Sequence, residues 1–146
     1  MYGHSLTLDG EIGANFYLKL SDEIVADTDA YVQMGIPGGA TTVTKISEAE
    51  TEVENGNKLY RFTYKVAAKE MRDVITAEFY SGAGTLLRTF QYSVSDYTRY
   101  VVNHPEEFSS ELVALSKAMM NYGASAQTFF CYHTDRLANT GMTVSD

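Results

Sequence analysis

A period of two constrains this chain more than any other feature. From Ile12 to Leu20 one side of the segment reads Ile12, Ala14, Phe16, Leu18, Leu20, and the other reads Gly13, Asn15, Tyr17, Lys19. Successive side chains of a strand point to opposite faces, so the alternation describes a strand with one buried face and one wetted face. The rhythm returns in "YVQMGI", with Val32, Met34 and Ile36 on one side. It returns again in "KLYRFTYKV", where Tyr60, Phe62, Tyr64 and Val66 oppose Arg61, Thr63 and Lys65. "HSLTL", the β-branched "TTVTKI", "VITAEFYS" and "TLLRTFQYSV" read as further strands. Turn signals separate them: Asp9-Gly10, Pro37-Gly38-Gly39, Asn55-Gly56 and Gly82-Ala83-Gly84. "SDEIVADTDA" and the acidic "SEAETEVENGN" break the alternation and read as loops. About seven short strands at this spacing predict two packed sheets, an Ig-like β-sandwich, over residues 3–94.

After Val94 the period becomes helical. Tyr97, Tyr100, Val101 and His104 share one side of a predicted short helix. Pro105 interrupts it. Either Pro105 opens the next helix, with Glu106 and Glu107 complementing its dipole, or Ser109 or Ser110 caps that helix and "HPEEF" is a linker. Leu112, Leu115, Met119, Tyr122, Ala126, Phe129 and Phe130 form the predicted apolar stripe, and the helix is expected to lie against the β part. Gly123 costs a helix interior about 1 kcal/mol relative to alanine, and with Ala124, Ser125 and Ala126 it would allow a close approach to a strand. The helical part is read over 95–132 and a tail loop over 133–146. The expected class is therefore α+β: a sandwich followed by one or two C-terminal helices packed on it, all in one domain of 146 residues.

Charge narrows the partners. The formal net charge is −8, so phosphate backbones and anionic membranes are disfavoured and nucleic acid is not an expected partner. No apolar run approaches the roughly 20 residues of a membrane span, so no membrane insertion is expected. "MYGHSLTL" lacks the basic and apolar regions of a signal peptide and reads as an expression start on an excised domain. The single cysteine, Cys131, cannot form an internal disulfide, so disulfides do not assign a compartment. Tryptophan is absent, against 11 Tyr and 7 Phe, so any aromatic platform must be built from tyrosine or phenylalanine.

Reactive constellations are weak. Cys131 and His133 are two apart, a spacing that brings no thiol onto its imidazole in helix or strand. "GASAQ" lacks the second glycine of a nucleophile elbow and sits inside a helix. His4, His104 and His133 are scattered without metal-ligand spacing. Asp22, Glu23, Asp27 and Asp29 in one loop, and Glu48, Glu50, Glu52 and Glu54 in another, lack calcium-loop spacing and read as solvated. "SGAGTL" lacks the lysine of a phosphate loop. A carboxylate pair for glycoside hydrolysis can be neither identified nor dismissed from spacing alone. No catalytic residue, metal ligand or cofactor is therefore assigned. The candidate ligand-binding residues are Tyr17, Tyr31 and Tyr80, which alternation places on the outer faces of their strands, where aromatic rings can stack on sugars or anchor a partner.

Two segments carry a resemblance. "SLTLDGEIGANFYLKLSDEI" and "LVALSKAMMNYGASAQTFFCYHTDRLAN", with "VAAKEM" between them, are similar to the opening and closing signatures of an uncharacterised module that recurs in secreted and surface-anchored multidomain proteins of Gram-positive gut anaerobes. The matching positions include Leu8, Asp9, Gly10, Gly13, Asn15, Phe16, Tyr17, Asn121, Tyr122, Gly123, Ala126, Asp135, Leu137, Ala138 and Asn139. Ser125, Cys131 and His133 depart from the pattern. The resemblance implies an extracellular or cell-wall-attached, noncatalytic accessory module. Its expected role is spacer or binding module for a glycan, a host or cell-wall protein, or neighbouring modules of its parent chain. The alternatives are a fragment of a polysaccharide- or peptide-acting hydrolase, and a structural domain whose edge strand pairs with a neighbour.

Overall fold

The computed structural model describes residues 2–8 and 11–140. Eight strands form two four-stranded antiparallel sheets. The first runs in the order β1 (Gly3–Leu8), β2 (Ile12–Leu18), β6 (Asn57–Val66), β5 (Glu50–Glu54). The second runs β4 (Thr41–Lys45), β3 (Tyr31–Gly35), β7 (Ile75–Tyr80), β8 (Leu86–Tyr92). A short helix, α1 (Asp22–Val25), lies between β2 and β3, and two longer helices follow the sheets: α2 (Val94–Asn103) and α3 (Ser110–Phe129).

Alternation becomes packing as expected. Ala14, Phe16 and Leu18 of β2 and Tyr60, Phe62, Tyr64 and Val66 of β6 are buried in one core with Val32, Met34, Ala77 and Phe79 of the second sheet. Phe16 lies opposite Phe62 in the β2–β6 register. Truncating either ring to alanine would cost about 3–5 kcal/mol, because such a core closes only partly over the void. Three turn signals hold: Asn55 and Gly56 both have positive φ (51° and 79°), as do Gly38 (73°) and Gly84 (85°). The Asp9-Gly10 turn lies outside the described residues, although the β1–β2 pairing that it would join is in place, ending at Leu8↔Ile12.

Three expectations are corrected. The acidic segment read as a loop contains an eighth strand, β5, in which every residue is exposed. With no buried face it shows no apolar rhythm. Its glutamates serve the pairing instead: Glu50 and Glu52 both form ion pairs with Arg61 of β6. Charges on an edge strand also deter pairing with other chains.

The second correction concerns α2. Its buried side is Val94, Ser95, Thr98 and Val101, whereas Tyr100 is exposed and stacks on His104. Ser93 caps this helix with a reciprocal Asp96 bond. Pro105 opens a short 3₁₀ turn, Pro105–Glu107, and Ser109 caps α3 by accepting from Leu112 N.

The third correction concerns α3. Its buried face is Ser116, Met119, Met120, Gly123, Ala124 and Gln127, while Leu115, Tyr122, Phe129 and Phe130 are exposed. The helix is thus seated by Ser116, Gly123 and Ala124 together with two methionines and Gln127. It packs chiefly on α2 and on the 3₁₀ turn Ala68–Glu70, while Met119 joins the core between the sheets. Gly123 explains the closeness: a Cβ there would come within 2.6 Å of Met71 Sδ and 3.0 Å of Ala138 Cβ.

Candidate functional site

The chain offers three places where polar or reactive side chains gather, and their hydrogen bonding separates them. The first is the segment after α3. Cys131 and His133 both have positive φ (52° and 44°), an uncommon conformation for side chains other than glycine and asparagine. Cys131 is exposed and makes no hydrogen bond with His133. The Asp73 carboxylate is buried and accepts the Tyr132 hydroxyl at 2.5 Å and Arg136 at 3.2 Å, with His133 Nε2 at 3.9 Å. The hydrogen bond to Asp73 pushes the Tyr132 hydroxyl up to about 12. This is an anchor, not a nucleophile with its base: the carboxylate faces a phenol and a guanidinium, and the exposed Cys131 is not among its partners.

The same segment is clamped from two more directions. Gln127, fully buried on α3, donates to the carbonyls of His133 and Arg136 and accepts from Ala138 N. Arg72 donates to the Leu137 carbonyl, and Arg99 to those of Ala138 and Thr140. The described part of the expected tail loop is therefore a tied-down return against α3. Gln127 is the residue that sequence reasoning missed. A polar residue at i+4 from Gly123 and i+11 from Ser116 on the small-residue face was its only signal.

The second place is the outer face of the first sheet, where Tyr17 lies. Tyr17 is half-buried and its hydroxyl hydrogen-bonds Ser5 Oγ at 2.9 Å. Next to it Asn15, only 2% exposed, donates to Ser5 and Thr7 and accepts from Thr63 at 2.5 Å. Gly13 leaves room for this cluster, since a Cβ would meet Thr63 Cγ2 at 2.9 Å. These side chains satisfy one another, which is how polar groups on a partly buried face avoid a desolvation penalty. Little hydrogen-bonding capacity remains for a ligand, and Tyr17 is separated from the other two candidates.

The third place is the outer face of the second sheet, and it differs. Tyr31 of β3 lies opposite Tyr80 of β7 in register, and their rings stack at 5.0 Å between centroids and 17° between planes. Both are half-buried. Tyr80 donates to Glu78 Oε2 at 3.0 Å, and that bond is the main reason its hydroxyl titrates above the ordinary tyrosine range. Along the same face, Gln33 opposes Glu78 and Gly35 opposes Thr76. A shallow groove of about 310 Å³ runs there, lined by the polar Gln33, Thr41, Thr76 and Glu78 and by Met34, Gly35, Ile36 and Pro37. The Gln33 carboxamide makes no hydrogen bond to another described residue. Two of the three predicted tyrosines are thus brought together beside this groove by strands more than forty residues apart.

The loops at that end are locked by the acidic residues read as solvated. Asp27 accepts from Gly82 N at 2.8 Å and from Asp29 N, and Asp29 pairs with Lys45. These bonds join the segment before β3 to the β7–β8 turn and fix the strand ends that carry Tyr31 and Tyr80. Among the described residues no group of three or more histidine, cysteine or acidic side chains could hold a metal ion. No described helix is long and apolar enough to cross a membrane. No family model matches the chain, and neither a curated protein nor a solved structure matches it significantly.

Proposed function

We propose that this chain is a noncatalytic extracellular accessory module of a secreted or surface-anchored protein, of the kind its opening and closing motifs resemble. It works as a binding module through the outer face of the β4-β3-β7-β8 sheet. One observation carries the reading: a stacked tyrosine pair, half-exposed, stands beside an open groove of mixed polar and apolar lining, on a face whose hydrogen-bonding groups are not all engaged with one another. The strand order supports an Ig-like assignment. β1-β2-β6-β5 against β4-β3-β7-β8 has the A-B-E-D against C-F-G arrangement of immunoglobulin domains, with one added edge strand beside C. Against the hydrolase alternative, the groove is lined by a single carboxylate, Glu78, whereas glycoside hydrolysis uses two.

The test is a labelled chain on glycan and peptide arrays, beside a Tyr31→Ala/Tyr80→Ala variant. Spots that the native chain lights and the variant loses support the reading. Spots unaffected by the variant, or release of reducing ends from any array sugar, would contradict it. The extracellular assignment is tested separately by the parent gene, which should encode an export signal and a wall anchor or neighbouring modules.

A structural role has one observation in its favour. β4 is an edge strand, uncharged from Thr41 to Thr44, with Val43 59% exposed. If β4 pairs with a neighbouring module, its amides should exchange more slowly in the parent protein than in the isolated chain.

A further inference from the structure

We infer that the groove beside Tyr31 and Tyr80 takes a neutral polysaccharide chain, with Gln33 and Glu78 reading its hydroxyls and Gly35 giving it access to the sheet. This rests on the binding reading above and narrows it to a ligand class.

The lining sets the chemistry. A carboxamide, a carboxylate and two threonine hydroxyls offer donors and acceptors in alternation, the complement of neighbouring hydroxyls on a sugar ring. Glu78 already accepts the Tyr80 hydroxyl through Oε2, which orients the carboxylate and leaves Oε1 for a ligand hydroxyl. Gly35 is the last residue of β3, next to the turn that leads to β4. A glycine there permits close approach of a ligand to the backbone. Its φ is not in the left-handed region, so the backbone itself does not require glycine.

Charge selects among ligands. On β3, β4 and β7 the one basic side chain on this face is Lys45, which is paired with Asp29. A uronate or sulfated polymer would therefore find on this face one lysine already paired with Asp29, since Arg88 of β8 lies opposite the inward Phe79, and it would meet Glu78 and a chain of net charge −8. A peptide adding as a strand would need the free edge of β4, whereas Gln33, Thr76 and Glu78 of the groove lie on the two inner strands of the sheet. Tyr31 and Tyr80 stack on each other with Lys45 and Leu86 on their far sides in register, and the exposed part of the pair offers apolar surface to a sugar ring. From Tyr31 to Gly35 the site spans about 13 Å at the strand rise, enough for a short run of sugar units.

The experiment is affinity electrophoresis of the full chain in gels containing β-glucan, xyloglucan or arabinoxylan, beside gels containing polygalacturonate. An oligolysine peptide is added as a competitor. Native chain, Tyr31→Ala, Gly35→Gln and the distant control Val53→Thr are run together, and circular dichroism confirms that each is folded. The Gly35→Gln Cβ has ordinary clearance, 3.4 Å from the Ala40 carbonyl and Thr41 Oγ1, so this variant fills the groove without disturbing the strand. At least one neutral polymer should retard the native chain and Val53→Thr equally. Tyr31→Ala and Gly35→Gln should each weaken that retardation by about ten-fold or more, as expected for contacts that carry binding energy. If no neutral polymer retards the native chain, the inference is overturned. If polygalacturonate or oligolysine binds instead and both variants abolish it, the ligand class is wrong but the binding face stands. Binding of any probe that both variants leave intact overturns the face as well.

Discussion

Replacing Gln127 by alanine asks whether the return of the chain after α3 is part of the fold or an appendage. Gln127 is 1% exposed, and its Oε1 accepts the Ala138 amide at 2.7 Å. Ala138 has no solvent exposure, so its stranded N–H costs about 1–3 kcal/mol. The bonds to Arg136 O (3.0 Å) and His133 O (3.3 Å) lie on residues that reach solvent. Water replaces those bonds, at about 0.5–1 kcal/mol between them. The total is about 2–4 kcal/mol, which for a chain of this size lowers the melting temperature by about 4–16 °C. Urea and thermal unfolding followed by circular dichroism measure it directly. A change below about 0.5 kcal/mol, the size of an ordinary surface substitution, would refute the clamp.

Gln127→Glu sharpens the test through its pH dependence. A carboxylate facing two carbonyls has its pKa raised above the ordinary glutamate value of about 4.3. The folded state then holds the proton longer than the unfolded state. Relative to the native chain, the variant should be least destabilised near pH 4 and progressively worse as pH rises through the folded value.

Further expectations follow from groups placed by the fold. Tyr132 titrates at about 12 because of Asp73, so Asp73→Asn should bring its ring titration, followed by NMR, down toward the ordinary tyrosine value of about 10. With the folded value raised, the stability Tyr132 contributes is present below about pH 10 and lost as pH rises from there toward 12. His4 stacks on Tyr92 at 3.7 Å and its Nε2 is buried without a partner, so burial lowers its pKa. Its contribution is present above the unfolded value of about 6.5 and lost as pH falls below it. His4→Phe should therefore flatten the acid limb of the stability profile below about pH 6.5. An unchanged limb would show that His4 is not what resists the acid.

Strands with one buried face were legible in the sequence because burial writes a rhythm into it. β5 was not legible: as an exposed edge it has no buried face, and its alternating glutamates read as a solvated loop until Arg61 is placed opposite them. The seating of α3 was misread for the converse reason. Size and apolarity point to Leu115, Tyr122, Phe129 and Phe130, whereas Gly123 sits against Met71 and Ala138 and the buried side is the one it shares with Ser116, Ala124 and Gln127. Alternation put Tyr17, Tyr31 and Tyr80 on outer faces. It carried no information on which strands neighbour which, so the juxtaposition of Tyr31 and Tyr80 and the isolation of Tyr17 emerge only from the non-local β3–β7 pairing.

The most direct measurement is a ¹⁵N–¹H NMR titration of the chain with a neutral gluco- or xylo-oligosaccharide. Shifts should be confined to Tyr31–Gly35, Thr41–Lys45 and Ile75–Tyr80, and should be lost in Gly35→Gln. Shifts centred on α3 or the outer face of β1-β2-β6-β5, or a pattern indifferent to Gly35→Gln, would contradict this binding face.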